Sequence, residues 1–164
     1  MTRHFSHRVR RLWRGKSGTN LIESAIVVPL LLLLTFSVID FSTIFYSYLA
    51  CENGVAQATR YGVTGNQMDD PSNPGTKLSR ADSMVLAMRQ ATPTLTLPSS
   101  AFSFYSMAPG GSTWVSGVGG PNDIVKMNVT YTWSLLTPVL RPFFTSGQFS
   151  FTVSSAMKNE GRFN

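Results

Sequence analysis

The apolar run Ser24–Ile39, SAIVVPLLLLLTFSVI, lies uncharged between Glu23 and Asp40 and narrows the possible folds more than any other feature. Its sixteen residues cover about 24 Å as a helix at ~1.5 Å each, short of the ~30 Å hydrocarbon core of a bilayer. A crossing helix must therefore take in Leu21 and Ile22 on one side and Phe41 and Ile44 on the other. At least one of the two carboxylates then lies in the apolar region or at its edge. Such a group costs roughly 2.5–3.5 kcal/mol at the centre of a span and much less near the interface. One such cost is tolerable, but it asks for a partner. Pro29 falls early in the run, where it removes one helical hydrogen bond and favours a kink that membrane helices accommodate.

Charge is distributed unevenly. Of the 14 Lys and Arg, six (Arg3, Arg8, Arg10, Arg11, Arg14 and Lys16) precede Thr19, with no acid among them. The remaining eight are matched by all 8 Asp and Glu, so the net charge of +6 belongs to the leader. A nucleic-acid-binding domain would carry positive charge on its folded part. A basic flank before an apolar helix instead orients a membrane segment with its N-terminus cytoplasmic. A removed secretory signal fits less well, because the apolar run exceeds the usual length and no small-residue cleavage site follows it closely. Cys51, the lone cysteine, cannot form an intrachain disulfide or, alone, a zinc site. It reads as a buried thiol, with an intermolecular disulfide as the alternative.

Past Asp40, residues Ile44, Tyr48, Cys51, Val55 and Ala58 keep to one helical face, and Gly62 and Gly65 are candidate caps. The helix is thus expected over 19–62, its first half in lipid and its second half a stalk. Glu23 has two readings. In one, Asn20 is the N-cap and Glu23 closes a capping box in the first turn. In the other, the chain is cut between Gly18 and Thr19. The new ammonium group then pairs with Glu23, four residues on, in its own chain or in a neighbouring subunit.

A basic leader, a glycine, four residues and a glutamate opening an apolar helix resembles the processing signature of type IV pilin-like proteins. The stretch GTNLIESAIVVPLLLLLTFSVIDFSTIFYSYLACENGVAQATRYG is similar, more narrowly, to the TadE-like family of minor pseudopilins. It shares that family's acid before a Val-Pro-Leu-rich run containing Pro29, its second acid at Asp40 and its Ala/Arg-rich exit. The closing SAMKNEG is similar to the family's Asn-Glu ending, with Gly161 where a proline is common. The resemblance implies a prepilin peptidase acting on the Gly18–Thr19 bond. It also implies a place in building or operating a tight-adherence (Flp-type) pilus or secretion apparatus, with roles in adhesion and biofilm formation. The material after the helix points to a minor subunit rather than the bulk fibre. The partners implied are the inner membrane, the peptidase and other pilins or pseudopilins, with no nucleic acid, small-molecule substrate or cofactor.

Residues 63–164 are expected to form an extracytoplasmic α+β head. Ser79 with Asp82 caps a helix whose Ala81, Met84, Val85 and Met88 form a stripe. Val125 to Leu135 and Phe149 to Met157 alternate with polar residues as strands, and AFSFYSMA and TWVSG are weaker strand candidates joined by the turn PGGS. Each strand has one apolar face, as in an antiparallel sheet covered on one side. Asp69 and Asp70 could help hold calcium, but their spacing does not fit an EF-hand loop, and a solvated polar loop is the favoured reading. Both histidines, His4 and His7, are in the leader, so a Ser-His-Asp or His-based metal site is excluded from the head. Only Asp69, Asp70, Asp82, Asp123, Glu160, Lys77, Lys126 and Lys158 remain there as Asp, Glu or Lys candidates, and their spacing suggests no enzyme. The competing reading is an uncleaved single-pass protein whose head binds an extracytoplasmic partner.

Overall fold

The computed structural model describes residues 16–138 and 140–163. The basic residues before Lys16 lie outside that range. The architecture is α+β, as expected: a 48-residue helix α1 (Lys16–Val63), a second helix α2 (Arg80–Ala91) and four strands, β1 (Phe102–Met107), β2 (Val115–Ser116), β3 (Ile124–Ser134) and β4 (Gln148–Lys158). The strands pair antiparallel in the order β2-β1-β3-β4. The register between β3 and β4 runs unbroken from Ile124 opposite Lys158 to Ser134 opposite Gln148.

Alternation decides which face of the sheet is buried. Val125, Met127, Val129 and Val153 point into a core completed by Cys51, Val55 and Ala58 of α1, Met84 and Met88 of α2, and Leu97. The opposite face keeps its hydroxyls in water, where Thr130 meets Thr152 and Thr132 meets Ser150, both at 2.8 Å. The C-terminal half of α1 and the whole of α2 cover the apolar face. On α1 the expected stripe is buried at Cys51, Val55 and Ala58 and half-buried at Ile44, while the Tyr48 ring packs edge-on against Phe151 at 5.4 Å.

Three local expectations need correction. α1 is already helical from Lys16, so Asn20 lies inside the helix and cannot be its N-cap, and no acid occupies its first turn. Gly62 is within α1 rather than a cap. A Cβ there would collide with the Met84 side chain, just as one at Gly54 would lie 2.6 Å from Met88 Sδ and 2.7 Å from Thr92 Cγ2, so both glycines let α1 and α2 approach closely. The turn after the helix is made by Gly65, at φ +75°, a left-handed conformation open to glycine at no steric cost. On α2 the Ser79 cap is present and accepts from the Asp82 amide, but the face is rotated: Arg80, Ser83, Met84 and Met88 are buried, with Ala81 and Val85 half-buried. The rotation follows from the partner, because α2 must present its long methionines to the glycines of α1.

Burial of Cys51 pushes its thiol up to about 11. The thiol therefore stays protonated at neutral pH and out of reach of a second chain, which disfavours the intermolecular disulfide. A water-soluble maleimide should label native protein at Cys51 negligibly and denatured protein fully, as read by mass spectrometry. Met127→Ala, at a fully buried position beneath both helices, should cost about 2–5 kcal/mol of stability. Thr130→Ala on the exposed face should cost well under that in the same detergent-solubilised unfolding measurement.

Candidate functional site

The first half of α1 is an apolar surface with nothing on it. An 18-residue window of mean hydropathy 2.3 is fully unburied, from Leu21 at 74% exposure through Leu30, Leu31 and Leu34. Four of its hydroxyls bond internally: those of Thr35, Ser37, Ser42 and Thr43 each donate to the backbone carbonyl four residues earlier, at 2.7–2.9 Å. In lipid this matters, since a hydroxyl without a partner there costs several kcal/mol. Pro29 lies inside the continuous helix, and its ring leaves the Ala25 carbonyl without its usual amide partner.

Gly18, Thr19 and Glu23 are all exposed at the start of this helix. Nothing lies within 4 Å of where a Cβ on Gly18 would stand. Gly18 thus differs from Gly54 and Gly62, whose missing side chains are required by packing within the chain. Glycine in a helix interior costs roughly 0.5–1 kcal/mol relative to alanine, and at position 18 no contact among the described residues accounts for it. Glu23 makes no ion pair or side-chain hydrogen bond among the described residues.

Asp40 is the opposite case. Its carboxylate is 1% exposed and sits at the end of the apolar run, where the segment after β3 crosses the helix. The backbone amide of Leu136 donates to Oδ1 at 2.8 Å, and the amide of Thr137 to Oδ2 at 2.9 Å. The Thr137 hydroxyl also donates to Oδ2, at 2.6 Å. Three donors aimed at one carboxylate supply the partner that the burial of an acid demands. The Trp133 indole approaches the same carboxylate without meeting hydrogen-bond geometry, and its N–H is otherwise unpartnered.

At the far end of the head, the closing Asn-Glu pair has an equally specific place. The Glu160 amide donates to the Val63 carbonyl at 2.9 Å, fastening the chain's end to the last residue of α1. Asn159, 2% exposed, donates from its side chain to the carbonyls of Val118 (3.1 Å) and Gly120 (2.8 Å). The buried guanidinium of Arg80 donates to Val118 and Gly119 in the same turn and stacks on the Phe163 ring at 4.4 Å. Burial lowers the Arg80 pKa, and the nearby Asp123 carboxylate opposes that shift. No apolar period announced this cluster; the signals for it were an arginine one residue past a cap and the closing Asn159-Glu160 pair.

Other acids of the head hold local turns. Asp82 faces the Ser79 cap, Asp123 accepts from the Gly120 amide at 2.7 Å, and Asp70 accepts from the Ser72 amide at 2.8 Å. Asp69 pairs with Lys77 at 2.7 Å on the surface. The Lys126 ammonium lies over the Trp114 ring, 5.5 Å from its centroid. The structure does not bring these residues together into one site.

Replacing Asp40 by alanine leaves two amides and a hydroxyl unsatisfied beside the helix. Asp40→Ala should destabilise the protein by about 2–4 kcal/mol, and Asp40→Asn, which keeps one acceptor oxygen, by less. Thermal unfolding in detergent checks both. Equal and negligible losses would mean the carboxylate holds nothing.

Comparison with known families bears on the helix alone. No curated protein and no solved structure matches the chain. The model of the TadE-like protein family matches residues 18–60, from the exposed glycine through the apolar run and Asp40 to Arg60. Over residues 18–60, about a quarter of its length, the chain is similar to TadE-like proteins.

Proposed function

We propose that this protein is a minor pseudopilin of a tight-adherence (Flp-type) pilus or secretion apparatus, made as a single-pass inner-membrane precursor and cleaved after Gly18 by a prepilin peptidase. The TadE-like segment supports a protein associated with the Tad pilus. The observation that carries the finer reading is the contrast among glycines. Among the described residues Gly18 is open on all sides while Gly54 and Gly62 are packed, so we assign the need for a bare backbone at position 18 to a partner molecule. A peptidase that must grip the backbone there supplies it.

Division of the chain follows from this reading. Residues 1–18 are a cytoplasmic leader that is removed, 19–62 the membrane helix and stalk, and 63–164 an extracytoplasmic head. Cleavage also changes the position of Glu23. In the precursor it lies seven residues into the helix, beyond the reach of the helix dipole. In the mature chain the helix would begin at Thr19, placing a free ammonium one turn away from the glutamate. In a stack of subunits the same carboxylate can instead receive a neighbour's terminus, which fixes axial register and compensates the burial of both charges. The head and the apolar helix then serve pilus assembly, adhesion and biofilm formation as a structural part rather than an enzyme.

N-terminal sequencing of membrane-extracted protein should begin at Thr19; an intact leader in cells with normal pili would defeat the proposal. Gly18→Ala should strongly reduce processing. Glu23→Ala should leave cleavage largely intact and impair piliation, and normal piliation in that variant would remove the pairing role.

A further inference from the structure

The connection between β3 and β4, residues 135–147, is joined to α1 at the membrane-facing end of the head, and its composition suits neither a core nor an aqueous loop. Phe143 is 80% exposed, more than any large aliphatic or aromatic side chain of the apolar run, and Leu136 is 56% exposed. Arg141 is the sole charged residue between Lys126 and Lys158. Its Nε donates to the Leu135 carbonyl at 2.9 Å, and its aliphatic stem lies against Gly147.

The position of this loop is fixed by Asp40. Because the amides of Leu136 and Thr137 bond to that carboxylate, the loop lies level with the end of the apolar run. From Gly18 to Ile39 the two half-buried residues are Leu33 and Ser37. They share the Asp40 side of the helix, reaching about 10 Å back into the run. A small apolar crevice lined by Phe41, Ile44, Leu135, Leu140, Phe144 and Phe149 joins loop and helix into one surface. The exposed aromatics Phe41, Phe45 and Tyr46 lie on the helix at the same level, as in the belts that mark a membrane interface.

We propose that residues 135–147 form a second, interfacial membrane contact: Leu136 and Phe143 enter the outer edge of the acyl-chain region and Arg141 reaches the lipid phosphates. This rests on the membrane-span reading of α1. Lipid fits the patch better than a protein partner because it continues the exposed apolar surface of the span without a break. The lone cation among apolar and proline residues also matches a snorkelling side chain at an anionic interface. The contact orients the head, which a single helix leaves free to rotate about its own axis.

The test uses the full chain with Cys51→Ala, one copy per nanodisc of phosphatidylcholine and phosphatidylglycerol. An environment-sensitive fluorophore is attached in turn through Leu136→Cys, Phe143→Cys, Leu31→Cys in the span and Ser154→Cys on the exposed sheet face. Phe143 and Leu136 are exposed, so their replacement leaves the core intact. Labels at 136 and 143 should shift to the blue and lose most of their emission to shallow nitroxide-labelled lipid, while the label at 154 stays aqueous. Arg141→Glu should weaken quenching at 143. If the label at 31 is quenched by lipid and those at 136 and 143 behave like 154, the loop contact is wrong and the span stands. If the label at 31 is also aqueous, both fall. Shielding of 136 and 143 that develops only when two copies share a disc would assign the patch to a protein interface and overturn the lipid contact.

Discussion

A carboxylate at the end of a membrane helix has to be satisfied by something, and in this protein its own head satisfies it. Asp40 accepts from two consecutive amides and a hydroxyl of Leu136 and Thr137, nearly a hundred residues downstream. Without those bonds an acid would lie buried among Phe41, Ile44 and Leu135 with its solvation lost. With them, the same group becomes the point where the apolar half of α1 gives way to the packed half. The transition runs along one face: Leu33 and Ser37 are half-buried, Asp40 and Ser47 are buried, and Phe41, Phe45 and Tyr46 stay exposed.

A second attachment closes the other end. The Glu160 amide bonds to the Val63 carbonyl, so β4 runs alongside α1 with one fastening at each end and the Tyr48–Phe151 contact between them. Cys51, Val55 and Ala58 therefore belong to the core of the head. The helix is one element with two surroundings, an unburied apolar surface along its first half and the packed core along its second.

Much of this was legible in the residues because the patterns are local. The apolar run, the strict alternation through β3 and β4, and the Ser79 cap each follow from neighbours a few positions apart. What the residues left open was long-range. Asp40 was recognisable as a group in need of a partner, but nothing about Leu136 or Thr137 marked them as that partner, because the donors are mostly backbone amides and every residue but proline has one. The 135–147 loop has no period at all, so nothing local marked which of its apolar residues would be exposed. The rotation of α2 depended on where two glycines of another helix would be. Gly62 was read as a terminator, whereas its lack of a side chain accommodates Met84. The Arg80–Asn159 cluster on the 118–120 carbonyls likewise joins three distant segments that no sequence period connects.

Gly18 and Glu23 stand apart from all of these, since no contact within the described chain accounts for either one. Under the proposed function both serve other molecules, first a peptidase and then a neighbouring subunit. Asp40, by contrast, is a property of the folded monomer and can be tested on it directly. Amide hydrogen exchange of the intact protein in a lipid bilayer should show Leu136 and Thr137 protected to the level of the central β3 amides, because opening them requires exposing a buried carboxylate. Exchange at those two amides as fast as in the exposed 66–78 loop would show that the head is not held to the helix at Asp40.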